Sequence, residues 1–185
     1  MIIYIHGFGG SGRGSKATEF RKYFKSKDIA FMAPSLSYVP DLAISTLEEL
    51  IESFEDVSLI GSSLGGFYTI YLASKYNLKA VLINPSIYPW VTLERSLGNA
   101  PNFYDESHFE WKKSHLKMLK TFETKNPKDE NFMLLAQKGD ELLDYSEAVQ
   151  KLPNSLHVIE EGGNHSFEGI ANHFQRVEKF LLNYN

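Results

Sequence analysis

Six short apolar runs punctuate the chain, at residues 2–5, 29–33, 57–60, 80–83, 132–136 and 156–159. Most are continuous rather than alternating. Such runs suit strands covered on both faces, as in a parallel sheet. Between them the apolar spacing lengthens to that of helices. Phe20, Tyr23 and Phe24 mark one, and Leu47, Leu50, Ile51 and Phe54 a second. A third spans residues 64–76. Ile170, Ala171, Phe174, Val177, Phe180 and Leu181 keep a 3.6-residue period through the last. Strands that alternate with helices predict a doubly wound α/β sheet of about six mostly parallel strands, helices on both faces. Residues 86–129 break this rhythm. They show no strand pattern and one helical stretch at 111–122, so a small cap or lid over the carboxyl edge of the sheet is expected there.

The chain has 185 residues, 43% hydrophobic and 23% charged, a size and balance that suit one domain over residues 1–185. A net charge of −4 gives no footprint for nucleic acid or an anionic membrane. Lysines between Lys112 and Lys125 form the one basic stretch, and Glu123 among them suits a solvated helix face. With no cysteine, disulfides, a thiol nucleophile and thiolate metal sites are excluded. The first residues enter a strand pattern without a basic leader, and no apolar run is long enough for a bilayer. A cytoplasmic protein is expected.

Gly61-Ser62-Ser63-Leu64-Gly65 falls between an expected strand and an expected helix. A serine presented at so sharp a turn needs glycine two residues to either side, because side chains there would collide. The helix that follows aims its N-terminus at Ser63 and favours negative charge beside it. The Leu64 N–H then becomes a candidate oxyanion donor. A short motif also arises by chance, and its bland reading is a glycine-rich turn with a capping serine. The remaining machinery must therefore be found.

A serine hydroxyl needs a base, usually a histidine held by a carboxylate, and on this kind of sheet the order is Ser, Asp or Glu, then His. Of six histidines, His165 alone follows an expected strand, in a glycine-bearing loop ahead of the last helix. Asp140 follows the strand before it, behind Gly139; Glu141 and Asp144 compete, although Asp144 also suits the cap of a helix starting near Tyr145. Ser63, Asp140 and His165 would all sit at carboxyl ends of strands, where open α/β sheets place their sites. The loop His6-Gly7-Phe8-Gly9-Gly10 follows the first strand and should supply a second oxyanion N–H from Phe8 or Gly9. His6 is expected to brace that loop by hydrogen bonding. Gly7, Gly9 and Tyr38 are the expected substrate contacts, and Tyr88 and Trp90 are further aromatics near the site edge.

Together these residues resemble the α/β-hydrolase superfamily. The compact length, the N-terminal Ile-Tyr-Ile-His-Gly-Phe, Leu-Ile-Asn84-Pro85, the run from Gly139 to Tyr145 and that from Glu160 to Phe167 are similar to the YqiA/YcfP-like bacterial esterases. The resemblance is weakest at residues 87–131. It implies a compact α/β-hydrolase fold, carboxylesterase-like cleavage of small acyl esters or thioesters through an acyl-enzyme, triad roles for Ser63, Asp140 and His165, and no metal or organic cofactor. Two other classes compete. One is a non-catalytic binding protein on a hydrolase core. The other is a dinucleotide binder, since Gly7-Phe-Gly9-Gly-Ser-Gly12 matches Gly-x-Gly-x-x-Gly. That reading wants a carboxylate at the end of the second strand, where Ala33-Pro34-Ser35 stands instead.

Overall fold

A computed structural model describes residues 1–182. The elements are β1 (Ile2–Ile5), α1 (Ser15–Ser26), β2 (Phe31–Met32), α2 (Pro40–Glu52), β3 (Ser58–Ser63), α3 (Leu64–Tyr76), β4 (Ala80–Pro85), α4 (Pro89–Thr92), β5 (Gly98–Pro101), β6 (His108–Trp111), α5 (Lys113–Thr121), β7 (Phe132–Gln137), α6 (Tyr145–Lys151), β8 (Leu156–Glu160) and α7 (Phe174–Leu182). Six strands form one sheet in the order β2-β1-β3-β4-β7-β8, and every pairing in it is parallel.

The continuous apolar runs divide cleanly between the two faces, because successive strand side chains point to opposite sides. Ile3, Ile5, Leu59, Leu82 and Leu134 join the core beneath α2, α3, α5 and α6. Their neighbours Ile2, Tyr4, Ile60, Val81 and Leu135 join a second core beneath α1 and α7. Phe20 and Phe24 of α1, with Phe174 and Val177 of α7, close that second face. Both faces are thus dry, which is why the central strands read as unbroken hydrophobic stretches.

Residues 86–129 depart from the expectation of no strands. They hold α4, an antiparallel β5–β6 hairpin with Gly98 opposite Trp111, and α5. In this ribbon only Ala100 and Trp111 are fully buried. So little inward-facing surface leaves no alternation to read, and Pro101 further masks the strand. Trp111, expected in a helix, ends β6, and the helix starts at Lys113. Smaller differences lie at the ends of elements. The second strand shrinks to Phe31–Met32, Phe54 lies past the end of α2, and Ile170–His173 forms a 3₁₀ turn before α7. No helix among the described residues is long and apolar enough to cross a membrane.

Leu82 is fully buried at the centre of the sheet, whereas Val91 of α4 is 60% exposed. Leu82→Ala should therefore cost about 2–5 kcal/mol through lost transfer energy and the cavity left behind. Val91→Ala should stay within about 0.5 kcal/mol of the parent. Urea titration of both variants checks the contrast.

Candidate active site

The carboxyl edge of the sheet gathers the three positions expected from the sequence. Ser63 ends β3 and stands immediately before α3 with φ 56° and ψ −123°, a backbone conformation rare for a residue with a side chain. Two close approaches hold it there. A Cβ on Gly61 would lie 2.1 Å from Thr69 Oγ1, and one on Gly65 would lie 2.1 Å from the Ile5 carbonyl oxygen. Either would push α3 away from the sheet.

His165 lies five residues past β8, and its Nε2 is 3.0 Å from Ser63 Oγ. Its Nδ1 is 2.8 Å from Asp140 Oδ2, and Asp140 lies three residues past β7. Burial works to raise the Asp140 pKa, but hydrogen bonds from His165 and from the N–H groups of Leu142 and Leu143 outweigh it and hold the carboxyl below its ordinary value. An ionised carboxylate can only accept, so Nδ1 carries the imidazole proton and the neutral ring offers Nε2 to the serine hydroxyl. The Asp140 side chain is 3% exposed and His165 20%, so the carboxylate is sealed while the imidazole remains reachable. Asp144 takes the other role weighed for it. It caps α6, accepting the Ser146 N–H at 2.8 Å.

The loops carrying Asp140 and His165 are tied together. Gly139 N–H donates to Gly162 O at 2.7 Å, and Lys138 N–H to Glu160 O at 2.9 Å. Beneath them lies a buried polar brace. Asn84 accepts the Gln137 N–H at 2.9 Å through Oδ1, and its Nδ2 donates to Asn164 O at 3.0 Å and His165 O at 3.2 Å. Gln137 Oε1 accepts the Asn164 and Glu168 N–H groups, while its Nε2 donates to Glu160 and Glu168 O. Glu141 accepts the His165 N–H at 3.0 Å. Sequence reasoning missed Gln137 altogether, weighed Glu141 only as a rival acid, and met Asn84 only within a stretch of resemblance. A buried asparagine and a buried glutamine closing two hydrophobic strands were the signal, because buried amides must be hydrogen-bonded.

His6 braces the first loop as expected. Its Nε2 accepts the Leu36 N–H at 3.0 Å, which leaves Nδ1 to donate to Gly7 O at 2.8 Å. Gly7 clears space for Ser63, since a Cβ there would lie 3.0 Å from Ser63 Cβ. A cleft of about 800 Å³ opens over Ser63 and His165, with Gly7, Phe8 and Leu64 in its wall. The Phe8 N–H has no protein acceptor among the described residues. That of Leu64, first in α3, lacks a carbonyl one turn back within the helix.

Two expected substrate contacts lie elsewhere. Gly9 sits against the hairpin, its carbonyl accepting the Phe103 N–H at 2.8 Å. Tyr38 stacks on Phe109 with 4.7 Å between ring centroids. Both line a separate small cavity of about 80 Å³ rather than the large cleft. Tyr38 is held there by the hairpin, which the sequence did not reveal. Tyr88 and Trp90 pack edge-to-face on each other and are also outside the cleft wall.

Residues 1–182 match the sequence profile of a family described as an uncharacterised protein family, UPF0227. The chain belongs to UPF0227. A UPF0227 protein of Pectobacterium atrosepticum is 25% identical, covering 97% of this chain and 98% of its own. One of Vibrio cholerae is 23% identical over the same shares. Among solved structures, Est1E of Butyrivibrio proteoclasticus with ferulic acid bound superposes with a TM-score of 0.76 at 13% identity, covering 98% of this chain and 88% of its own. Mouse alpha/beta hydrolase domain-containing protein 10 gives 0.76 at 17% identity, covering 96% and 88%. The monoacylglycerol lipase of Paleococcus ferrophilus gives 0.71 at 16%, covering 99% and 94%. The fold of this UPF0227 member is that of the α/β-hydrolases, in agreement with the resemblance read from the sequence.

His6 supplies a pH prediction. Burial is the largest influence on its pKa and lowers it, so the folded protein keeps the ring neutral while the unfolded chain protonates it. The stabilisation is complete above about pH 6.5, the ordinary histidine value, and is lost as the pH falls below it. His115, buried in α5 and lowered chiefly by burial, acts in the same direction. Asp140 is depressed too, but its stabilisation is lost only below about pH 4. Stability measured by denaturant titration from pH 7 to 5 should therefore fall, and His6→Gln should show a shallower slope. An unchanged slope in the variant would exclude His6 as a source.

Proposed function

We propose that this UPF0227 member is a serine hydrolase that cleaves small acyl esters or thioesters through an acyl-enzyme on Ser63. The observation that carries this reading is the continuous hydrogen-bonded line Ser63–His165–Asp140, with the serine held at positive φ at the foot of a helix. A polar residue placed only for stability would not need this strained backbone. Est1E, which binds ferulic acid, and the Paleococcus lipase lend support as proteins of the same fold.

In this mechanism Ser63 Oγ attacks the carbonyl carbon while His165 Nε2 takes its proton. The carbonyl oxygen becomes an oxyanion and receives the Leu64 and Phe8 N–H groups. As the tetrahedral intermediate collapses, the imidazolium returns the proton to the departing alcohol or thiol. Water then attacks the acyl-enzyme with His165 as base, and release of the acid restores Ser63. Asp140 keeps the Nδ1–H tautomer and stabilises the imidazolium. The large cleft, and not the small cavity at Tyr38, is the substrate site.

A fluorophosphonate probe should label Ser63 in the folded protein, and Ser63→Ala should abolish labelling. The same variant should lower kcat on p-nitrophenyl butyrate by on the order of 10³–10⁶. Asp140→Asn should lower it by about 10⁴ with the fold intact by circular dichroism, whereas Asp144→Asn should leave kcat near the parent. Full activity in Ser63→Ala would end the proposal.

Asn84 gives a separate measurement. Asn84→Ala releases the His165 carbonyl, and a displacement of about 1 Å in the base would cost roughly 10²-fold in kcat with KM little changed. A purely structural asparagine would lower the yield of folded protein without changing kcat per labelled Ser63.

A further inference from the structure

Charge is distributed unevenly between the cleft and the rest of the molecule. The chain has 23 acidic residues against 19 basic ones. Yet the cleft wall holds Arg13, Lys16 and Arg95 and no aspartate or glutamate. None of the three has a carboxylate within ion-pair distance among the described residues, where the paired cationic groups are Lys75, Lys112, Lys138, His165 and His173. Lys16 Nζ donates to a neutral partner, the Ser166 carbonyl, at 2.9 Å, one residue from the base. Burial is the largest influence on Lys16 and lowers its pKa, against the opposing pull of Glu19 and Asp140. Asp140 is already sealed behind His165.

A partly desolvated ammonium whose one hydrogen bond goes to a carbonyl, with no carboxylate at ion-pair distance, gains from a counter-charge that arrives in the cleft. Arg13 and Arg95 are both exposed at the same opening. Guanidinium groups bind carboxylate and phosphate through parallel hydrogen bonds, so they suit oxyanions in particular. Apolar wall is present as well, from Leu93, Phe103, Tyr104, Leu142 and Leu143. The cleft thus offers one surface to hydrocarbon and another to negative charge.

We propose that the substrate is an ester or thioester that itself carries an anionic carboxylate or phosphate, held in the Ser63 cleft by Arg13, Lys16 and Arg95. The proposal rests on the serine hydrolase reading. The cations would draw the anionic substrate in and fix which end of it lies over Ser63. The bond broken is still the acyl ester, and the anionic group passes unchanged into the acid or the alcohol product.

The experiment uses the full chain and two matched pairs of esters. Monoethyl glutarate against ethyl pentanoate places the charge on the acyl side. 2-Phosphoethyl butyrate against ethyl butyrate places it on the alcohol side. At low ionic strength kcat/KM should favour the charged member of at least one pair by about tenfold or more, and that pair identifies the source of the anion. The ratio should shrink in about 0.5 M NaCl, where charges are screened within a few ångströms. It should fall towards one in the Arg13→Gln, Arg95→Gln double variant and persist when both are changed to lysine. Ratios at or below one in both pairs, with Ser63 labelled by fluorophosphonate, would overturn the anion inference and leave the hydrolase reading standing. A preference that survives both salt and the glutamine variant would overturn the role given to the cations. No labelling and no cleavage of any of the four esters would overturn the hydrolase reading and this inference with it.

Discussion

The tight turn between β3 and α3 is the constraint around which this edge of the molecule is organised. Ser63 occupies a left-handed conformation that costs an ordinary residue about 1–3 kcal/mol. It persists because both sides of the turn are pinned. Gly65 presses against the end of β1, and Gly61 against Thr69 of α3, with no room for a side chain at either point. The pairing of β3 with β4 shifts register between Ser62 and Ser63, so the strand leaves the sheet where the serine must rise above it. Gly7 completes the clearance from the neighbouring loop. A rigid parallel sheet with both faces buried is what can hold such strain.

Holding Ser63 is only half of the arrangement, because its partner His165 lies on a loop. The answer is a polar layer directly under the site, made from the last residues of two hydrophobic strands. Asn84 and Gln137 bind each other and then the backbone of residues 164, 165 and 168. Both are fully buried, so each unmade hydrogen bond would cost about 1–3 kcal/mol. That cost favours one arrangement of the loop over its alternatives. The position of His165 thus depends on the ends of β4 and β7, the first beside the strand that carries Ser63 and the second leading to Asp140.

Much of this was legible in the chain because it depends on local chemistry. The six strands announce themselves as apolar runs, and a strand-to-helix turn with glycine two residues either side of a serine has few other uses. That Ser63, Asp140 and His165 reach one edge follows from the common direction of the parallel strands β3, β7 and β8 that precede them. What escaped depended on contacts between distant segments. The hairpin has two fully buried residues and a proline, too few to form a pattern, and the position of Tyr38 follows from the hairpin. The packing of Gly9 was hidden for the same reason, since its partners Pro101 and Phe103 belong to that ribbon. The cationic part of the cleft lining escaped the sequence, because Arg95, on a 3₁₀ turn, is brought beside Arg13 and Lys16 only by the fold.

The hairpin also gives the residues 86–129 a role beyond covering the edge. Phe8 sits edge-on to Phe109 and Trp111, with centroids 5.4 and 4.9 Å away, while its backbone belongs to the loop beside Ser63. Gly9, one residue on, is hydrogen-bonded to the hairpin turn at Phe103. The loop is thus gripped from below by His6 and from above by the ribbon. Phe103, 73% exposed, lies on the same turn and also forms part of the cleft wall. The segment that grips the Phe8 loop therefore also supplies part of the cleft wall. One wall of the cleft and the loop beside Ser63 are thus held by the same ribbon, through the Phe103 N–H to Gly9 and the Phe8 ring against Phe109 and Trp111.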